Sequence, residues 1–356
     1  MLRRLFCLFA SARAKKHIIR YSPVTLRHIV RIVTQLFLLL VLVFIVSLAT
    51  GPGNFLWSDL VQLLSLNHAG SPSPSAETIL FSIRLPRILF AAVVGASLSL
   101  AGVVFQAVLR NPLADPYILG VSGGAAIGAV LATLFVSSLW STTLLAFIGA
   151  LVTIFLILGS SWSRDTREGH TILLTGVIVN AFFSACLMFF FAISTSGQSQ
   201  SVLFWLMGNV SMAESREIIL TTVVMAAGFI LLFVYARSLN VLTLGDETAM
   251  QLGIDAHRTK KLLLITASLV TATAVSVSGT IGFIGLVVPH LMRILFGPDH
   301  RILLPVAVLS GAIFMIVADT LARTLLAPVE LPVGVVTALC GAPYFLYLLH
   351  SERRAS

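Results

Sequence analysis

The sequence predicts an all-α protein that crosses a membrane many times, and two observations carry that expectation. Of its 356 residues 58% are hydrophobic and only 10% charged, against roughly 45–50% and 25% in soluble domains. The apolar residues also gather into runs near the roughly 20 residues that a helix needs to cross a hydrocarbon core of about 30 Å. A water-soluble globule and a disordered chain are excluded on this arithmetic. So is a disulfide scaffold, because the only cysteines, Cys7, Cys186 and Cys340, stand in or beside apolar stretches. The net charge of +9 reads as a topological signal, since the bases are dispersed among apolar runs and form no basic face for a nucleic acid.

Ten spans are expected, near residues 32–50, 87–109, 117–136, 142–160, 171–193, 216–236, 262–280, 283–296, 302–322 and 333–349. The eighth is short and holds Pro289, His290 and Arg293, so by length alone a re-entrant piece is an alternative. Charge decides between them. With ten spans and both termini cytoplasmic, only Arg84, Arg87, Arg216 and Arg323 of the 23 Lys and Arg residues fall outside; removing the eighth span raises that number to seven. Residues 1–31 form a basic cytoplasmic lead for which anionic lipid headgroups are a sufficient partner. The first apolar run starts too late, and lacks a small-residue cleavage site, to be a signal peptide. Residues 32–350 make up the ten-span domain and 351–356 a cytoplasmic tail. The outer connection 51–77, with the Ser71–Ser75 alternation of Ser and Pro, reads as irregular. Small residues four apart, Gly95 with Ser99 and Gly124 with Gly128, allow close helix approach.

What is missing chemically narrows the function. No phosphate-binding G-x-x-x-x-G-K-[ST] motif, no H-E-x-x-H and no Cys/His cluster occurs, so neither a nucleotide nor a metal cofactor is expected on this chain. Gly120-Val-Ser-Gly-Gly opens an apolar span without nucleotide-binding context and reads as a packing motif. Ion-coupled carriers keep ionisable groups in mid-membrane, yet the middle third of every expected span lacks Asp, Glu, Lys and Arg. Asp319 and Arg323 are four apart, share a helix face and can pair. A membrane hydrolase would have to use His290 and Asp319, which lie on different spans. The chain therefore reads as a conduit without an engine of its own, and not as an enzyme.

Five groups of residues carry the assignment, and the first of them is shaped to dock the engine. The largest inner loop, within 240–258, contains Leu244-Gly-Asp-Glu-Thr-Ala-Met-Gln-Leu252-Gly253. Asp246 can cap a short helix there, Glu247 favours its positive end and Gly253 can end it in a left-handed turn. Arg84-Leu-Pro-Arg-Ile-Leu opens the second span, and Arg110-Asn-Pro-Leu-Ala-Asp-Pro-Tyr follows it. Gly282-Phe-Ile-Gly-Leu-Val-Val-Pro-His-Leu-Met-Arg precedes Asp299-His-Arg. Ala318-Asp-Thr-Leu-Ala-Arg is followed by Glu330-Leu-Pro-Val-Gly and Gly341-Ala-Pro-Tyr-Phe. In this order, over about residues 33–350, the blocks resemble the FecCD-type permeases, membrane subunits of ABC importers for ferric siderophores, haem and cobalamin.

The resemblance implies a type II ABC importer permease fold and a homodimer, or a dimer with a close paralogue. It also implies two ABC ATPases that bind the ATP, and an extracytoplasmic substrate-binding protein at a bacterial inner membrane. It implies that Arg84, Arg87 and Arg323 anchor carboxylates of the binding protein, the alternative being local pairing such as Arg323 with Asp319. Leu244, Gly245, Glu247, Ala249, Leu252 and Gly253 become the coupling element that seats in the ATPase. Asn111 and Leu113, with Gly169 and His170 in the loop before the fifth span, become the cytoplasmic gate. Within the family the expected cargo is a ferric siderophore, with cobalamin or haem as the alternative.

Overall fold

The computed structural model describes residues 25–51, 77–117, 119–136, 138–160, 168–211 and 214–353, and among these every regular element is a helix. In chain order they are α1 (Leu26–Ala49), a π-helical turn (Thr78–Arg84) running into α2 (Leu85–Val108), α3 (Val121–Phe135), α4 (Leu139–Ser160) and α5 (Glu168–Ile193). There follow α6 (Ser196–Leu206), α7 (Ser215–Val234), α8 (Ala236–Leu242) and α9 (Asp246–Gln251). The last four are α10 (Ala256–Ser278), α11 (Ile284–Phe296), α12 (His300–Thr324) and α13 (Val333–Arg353). Among the described residues seven helices are long and apolar enough to cross a membrane, and α3, α11 and Val333–Tyr347 of α13 are shorter apolar helices. The protein is thus a multi-pass, all-helical membrane protein. The apolar helices among the described residues overlap the expected runs in the same order.

Several boundaries differ from the sequence reading for local reasons. α1 begins at Leu26, ahead of the expected residue 32, since Arg27 and Arg31 are good helix formers and polarity alone does not end a helix. α10 begins at Ala256, because the Asp255 carboxylate caps it by accepting from the Arg258 N–H at 3.0 Å. α3 begins only at Val121, after Gly120 in the left-handed region (φ 75°); Pro112 and Pro116 hold the preceding segment out of a helix. Most of the N-terminal lead and of the 51–77 connection lies outside the described residues.

α2 is the centre of the bundle. Its most apolar window is 83% buried, against 6% for the window Leu174–Ile193 of α5, and it packs on α12, α10, α11 and α7. Glycines make that packing possible. A Cβ on Gly102 would come within 1.9 Å of the Gly285 carbonyl oxygen in α11, and one on Gly95 within 2.3 Å of the Gly311 carbonyl oxygen in α12. α3 meets α4 the same way, the Gly149 position facing the Gly124 carbonyl at 2.2 Å. The small-residue spacing noted in the sequence therefore brings backbones together, as membrane helix pairs require.

Where α11 is irregular, α2 repairs it. Pro289 has no N–H, so the Gly285 carbonyl four residues earlier loses its helical donor. The Gln106 side-chain amide of α2 donates to the carbonyls of Gly285 (3.3 Å) and Leu286 (3.1 Å), while its carbonyl oxygen accepts from Arg293 Nη1 at 2.9 Å. In a hydrocarbon setting an unpartnered carbonyl costs several kcal/mol, so Gln106 makes a prolyl helix tolerable at this depth. A second close fit explains the Gly341 block: a Cβ there would lie 2.4 Å from the Cβ of Phe283, whose own backbone is left-handed (φ 70°) at the start of α11.

Gly102→Ala is expected to lower stability by about 1–3 kcal/mol through overpacking against the α11 backbone. Gly159→Ala, where nothing lies within 4 Å of the added carbon, is expected to be neutral or slightly stabilising. Thermal unfolding of the detergent-purified variants, followed by size-exclusion fluorescence, checks the pair.

Candidate functional site

Charged groups collect at the two ends of α2, and each collection binds elements far apart in sequence. At the Arg84 end, Arg87 Nε lies 2.9 Å from Asp319 Oδ1 of α12, and Arg87 Nη1 lies 2.7 Å from Glu330 Oε2. Arg323 Nε is 3.0 Å from the second Asp319 oxygen, an ion pair not aligned as a hydrogen bond. Its Nη2 donates to Ser47 Oγ at 2.9 Å and its Nη1 to the Thr50 carbonyl at 3.3 Å. Arg84 Nη1 donates to the Leu48 carbonyl at 2.7 Å. α1 thus ends against two guanidiniums, which meet its last carbonyls and the negative end of its dipole.

Arg84, Arg87, Arg323 and Asp319 are buried, and Glu330 alone in the group is half-exposed, at 44%. The expected Asp319–Arg323 pair exists. Arg87 shares the same carboxylate from 232 residues away, which no local pattern reveals. Asp319, flanked by two guanidiniums and fully buried, is a structural anion and not an isolated mid-membrane carboxylate.

At the other end of α2 the helix closes in a reciprocal turn. Asn111 N–H donates to the Gln106 carbonyl and Arg110 N–H to that of Ala107, with Arg110 in the left-handed conformation (φ 49°) that such a cap requires. Asn111 Oδ1 then accepts from the Leu113 N–H at 2.9 Å, and Leu113 remains exposed. The chain turns inward next: Ala114 and Asp115 are buried, Asp115 Oδ1 accepts from the Tyr117 N–H at 2.9 Å, and Asn180 of α5 donates to the Tyr117 carbonyl at 2.8 Å. Tyr117, Ser122, Asn180 and Thr280 give polar edges to an otherwise apolar open recess of about 370 Å³ beside α3, α5 and α6.

α9 sits at this same end. Gly245 (φ 123°) precedes it, and Gly253 (φ 81°) closes it with Ile254 N–H donating to the Ala249 carbonyl and Gly253 N–H to that of Met250. The terminator is the one read from the sequence, but the expected cap is not: Asp246 occupies the first helical turn, and both its oxygens are engaged by cations. Arg110 Nη2 is 2.8 Å from Oδ1, and Lys260 Nζ of α10 pairs with Oδ2. Ala249 faces inward with no exposure, whereas Leu244 and Leu252, which flank the six-residue helix, and Met250 within it are 69%, 62% and 59% exposed. Glu247 is exposed in its first turn.

These faces can be compared with known proteins. The model of the FecCD transport family matches residues 39–351. The chain belongs to the FecCD transport family. Among relatives, the cobalamin import system permease protein BtuC of Halobacterium salinarum is 46% identical over 283 residues, 78% of this chain and 75% of that one. The hemin transport system permease protein HmuU of Yersinia pestis is 40% identical over 334 residues, 91% and 98% of the two chains. A solved structure described as an inward-facing conformation of a metal-chelate type ABC transporter superposes with TM-score 0.80 at 34% identity, covering 90% of this chain and 99% of that one.

In this FecCD chain the FecCD-like blocks have local structural reasons. Asp299 caps α12, accepting from the Arg301 N–H at 3.0 Å, and Asn240 of α8 donates to Asp299 (2.9 Å) and accepts from the His300 N–H (2.9 Å). That ties the helix leading into α9 to the start of α12. Although burial alone would raise it, hydrogen bonds from Arg301 and Asn240 hold the Asp299 carboxyl at about 2. Gly169 and His170, expected in a loop, lie in the first turn of α5, which starts at Glu168; their side chains lie outside the described residues. Helix propagation back from the apolar run through Thr171 and His170 outcompetes the loop.

Burial pushes the Asp115 carboxyl up to about 6, against the lowering effect of the Tyr117 N–H it accepts. A carboxyl raised above its ordinary 3.8 favours the fold most below that pH. The advantage is lost as the pH rises toward about 6, and the penalty is constant above it. Asp115→Asn is therefore expected to be more stable than the unmodified chain at about pH 8, with the difference shrinking toward about pH 4, as read by thermal unfolding across that range.

Proposed function

We propose that this chain is the permease subunit of an ABC importer that carries a metal chelate across a bacterial cytoplasmic membrane, driven by ATP hydrolysed on a separate subunit. The observation that carries the reading is α9, which presents exposed Leu244 and Leu252 around buried Ala249 at the end of the bundle opposite Arg84, Arg87 and Arg323. Large apolar side chains held outward on a capped, tethered knob suit insertion into a groove of a partner. Two ATPases seat there, and the chain itself binds no nucleotide.

The bundle has ten spans with both termini cytoplasmic, in line with the charge count and with the division of charged groups between the two ends. Two copies, or one copy and a close paralogue, enclose the path. The face of α5 carrying Leu174, Val177, Ile178, Phe182 and Phe189, exposed in the single chain, supports a contribution of this helix to that assembly. The turn at Asn111 and Leu113 and the first turn of α5 at Gly169 and His170 form the inner constriction. At the outer end an extracytoplasmic binding protein docks through acidic residues on Arg84, Arg87 and Arg323. Their burial means that docking must exchange partners within an existing network, and the Arg87 grip on the half-exposed Glu330 supports the capacity of this end to hold a surface carboxylate.

The cargo in the first reading is a ferric siderophore. A second reading, cobalamin or haem, is favoured by the relatives named for cobalamin import and hemin transport. Both classes arrive already chelated, so the permease needs no metal ligands.

Because Leu252 is exposed, Leu252→Asp is expected to leave the melting temperature of the isolated chain unchanged while abolishing co-purification of the ATPase. ATP-dependent uptake of the chelate by reconstituted vesicles should be lost with it. An isolated chain that accumulates chelate in liposomes without any ATPase would overturn the assignment.

A further inference from the structure

We propose that Arg110 is the positioning residue that transmits movement of α9 to the inner gate, through its ion pair with Asp246. The proposal rests on the reading of α9 as the ATPase seat and of the Asn111–Leu113 turn as part of the gate. It adds the connection between them, which neither reading supplies.

The backbone is the first observation. Arg110 occupies the left-handed position that ends α2 (φ 49°), where glycine is the usual residue because it alone adopts that conformation without strain. A long side chain kept at a strained position points to a use for that side chain. The use is visible: Nη2 reaches Asp246 Oδ1 at 2.8 Å, across 136 residues of sequence. The guanidinium also lies beside the start of α9, its Nη1 being 3.7 Å from where a Cβ on Gly245 would stand.

The second observation is where the two ends of this link are fixed. Arg110 immediately precedes Asn111 and lies three residues before Leu113, in a turn whose N–H groups are pinned to Gln106 and Ala107. Gln106 is itself held by Arg293 and the α11 carbonyls. Asp246 stands in the first turn of α9 and divides its oxygens between two elements, Arg110 after α2 and Lys260 on α10. A displacement of α9 must therefore pull on the gate turn through Arg110 and on α10 through Lys260. The pair is partly exposed, 40% and 29%, so it adds little to stability. Its worth is geometric, and removing it should uncouple the turn while leaving the fold intact.

The test uses the permease assembled with its ATPase, with Cys186 and Cys340 replaced by serine, Cys7 by alanine, and L113C as a maleimide reporter at an exposed gate position. In the otherwise unmodified assembly the labelling rate should differ between nucleotide-free and MgATP-vanadate states. In Arg110→Gln and Asp246→Asn the ratio of the two rates is expected to fall to about one, with the double variant no worse than either alone, as non-additive partners behave. Arg110→Lys should restore part of the difference, and Lys260→Gln, which removes the tie of Asp246 to α10, should keep it.

An Arg110→Gln assembly that retains the ATPase and the full difference overturns the proposal. So does a Lys260→Gln assembly that loses the difference equally, since the signal would then not run specifically through Arg110. If the unmodified assembly shows no nucleotide-dependent labelling, the gate reading fails and takes the proposal with it. If the ATPase does not co-purify with the unmodified chain, it is the reading of α9 that has failed.

Discussion

Direct contact between helix backbones along α2 governs the rest of the architecture, because a membrane bundle has no hydrophobic force pressing its helices together and must rely on close packing and internal hydrogen bonds. Gly95 against Gly311 and Gly102 against Gly285 bring α12 and α11 so near to α2 that a single methyl group would overlap a carbonyl. At that separation side chains such as Gln106 can reach across and complete the hydrogen bonding that Pro289 interrupts.

Each end solves a solvation problem with charges from several elements. At the Arg84 end of α2, carbonyls at the close of α1 and the fully buried Asp319 are satisfied by three arginines, two of them on or next to the first turn of α2. Such a network is a poor source of net stability, since desolvation offsets most of the attraction. It fixes the relative register of α1, α2 and α12, and it leaves one half-exposed carboxylate, Glu330, as its contact with the outside. At the Arg110 end the charges are wetter and fewer, and they join a small exposed helix to the turns around it.

Much of this was legible in the sequence. The apolar helices, the left-handed terminator at Gly253 and the Asp319–Arg323 pair follow from run length, glycine and i, i+4 spacing, all of which act within a few residues. The setting of α9 was legible only in part: Gly253 ended the helix as expected, while Asp246, a good capping residue by type, stands in the first turn with its oxygens held by two cations. Glu330 as a partner of Arg87, and Gln106 as the donor that rescues Pro289, lie 243 and about 180 residues from the groups they serve. The first turn of α5 shows the converse error, for Gly169 and His170 look like loop residues until the helix behind them extends forward.

The amino-acid sequence by itself determined the environment and the local vocabulary: a chain too apolar and too sparsely charged for water, and glycines and prolines that set where helices end or approach. Beyond such local pairs as Asp319–Arg323, tertiary structure alone decided which charge meets which. A helix dictates only the neighbours three and four residues away, whereas the partners of Arg87, Gln106 and Arg110 come from helices whose adjacency depends on how the whole bundle closes around α2.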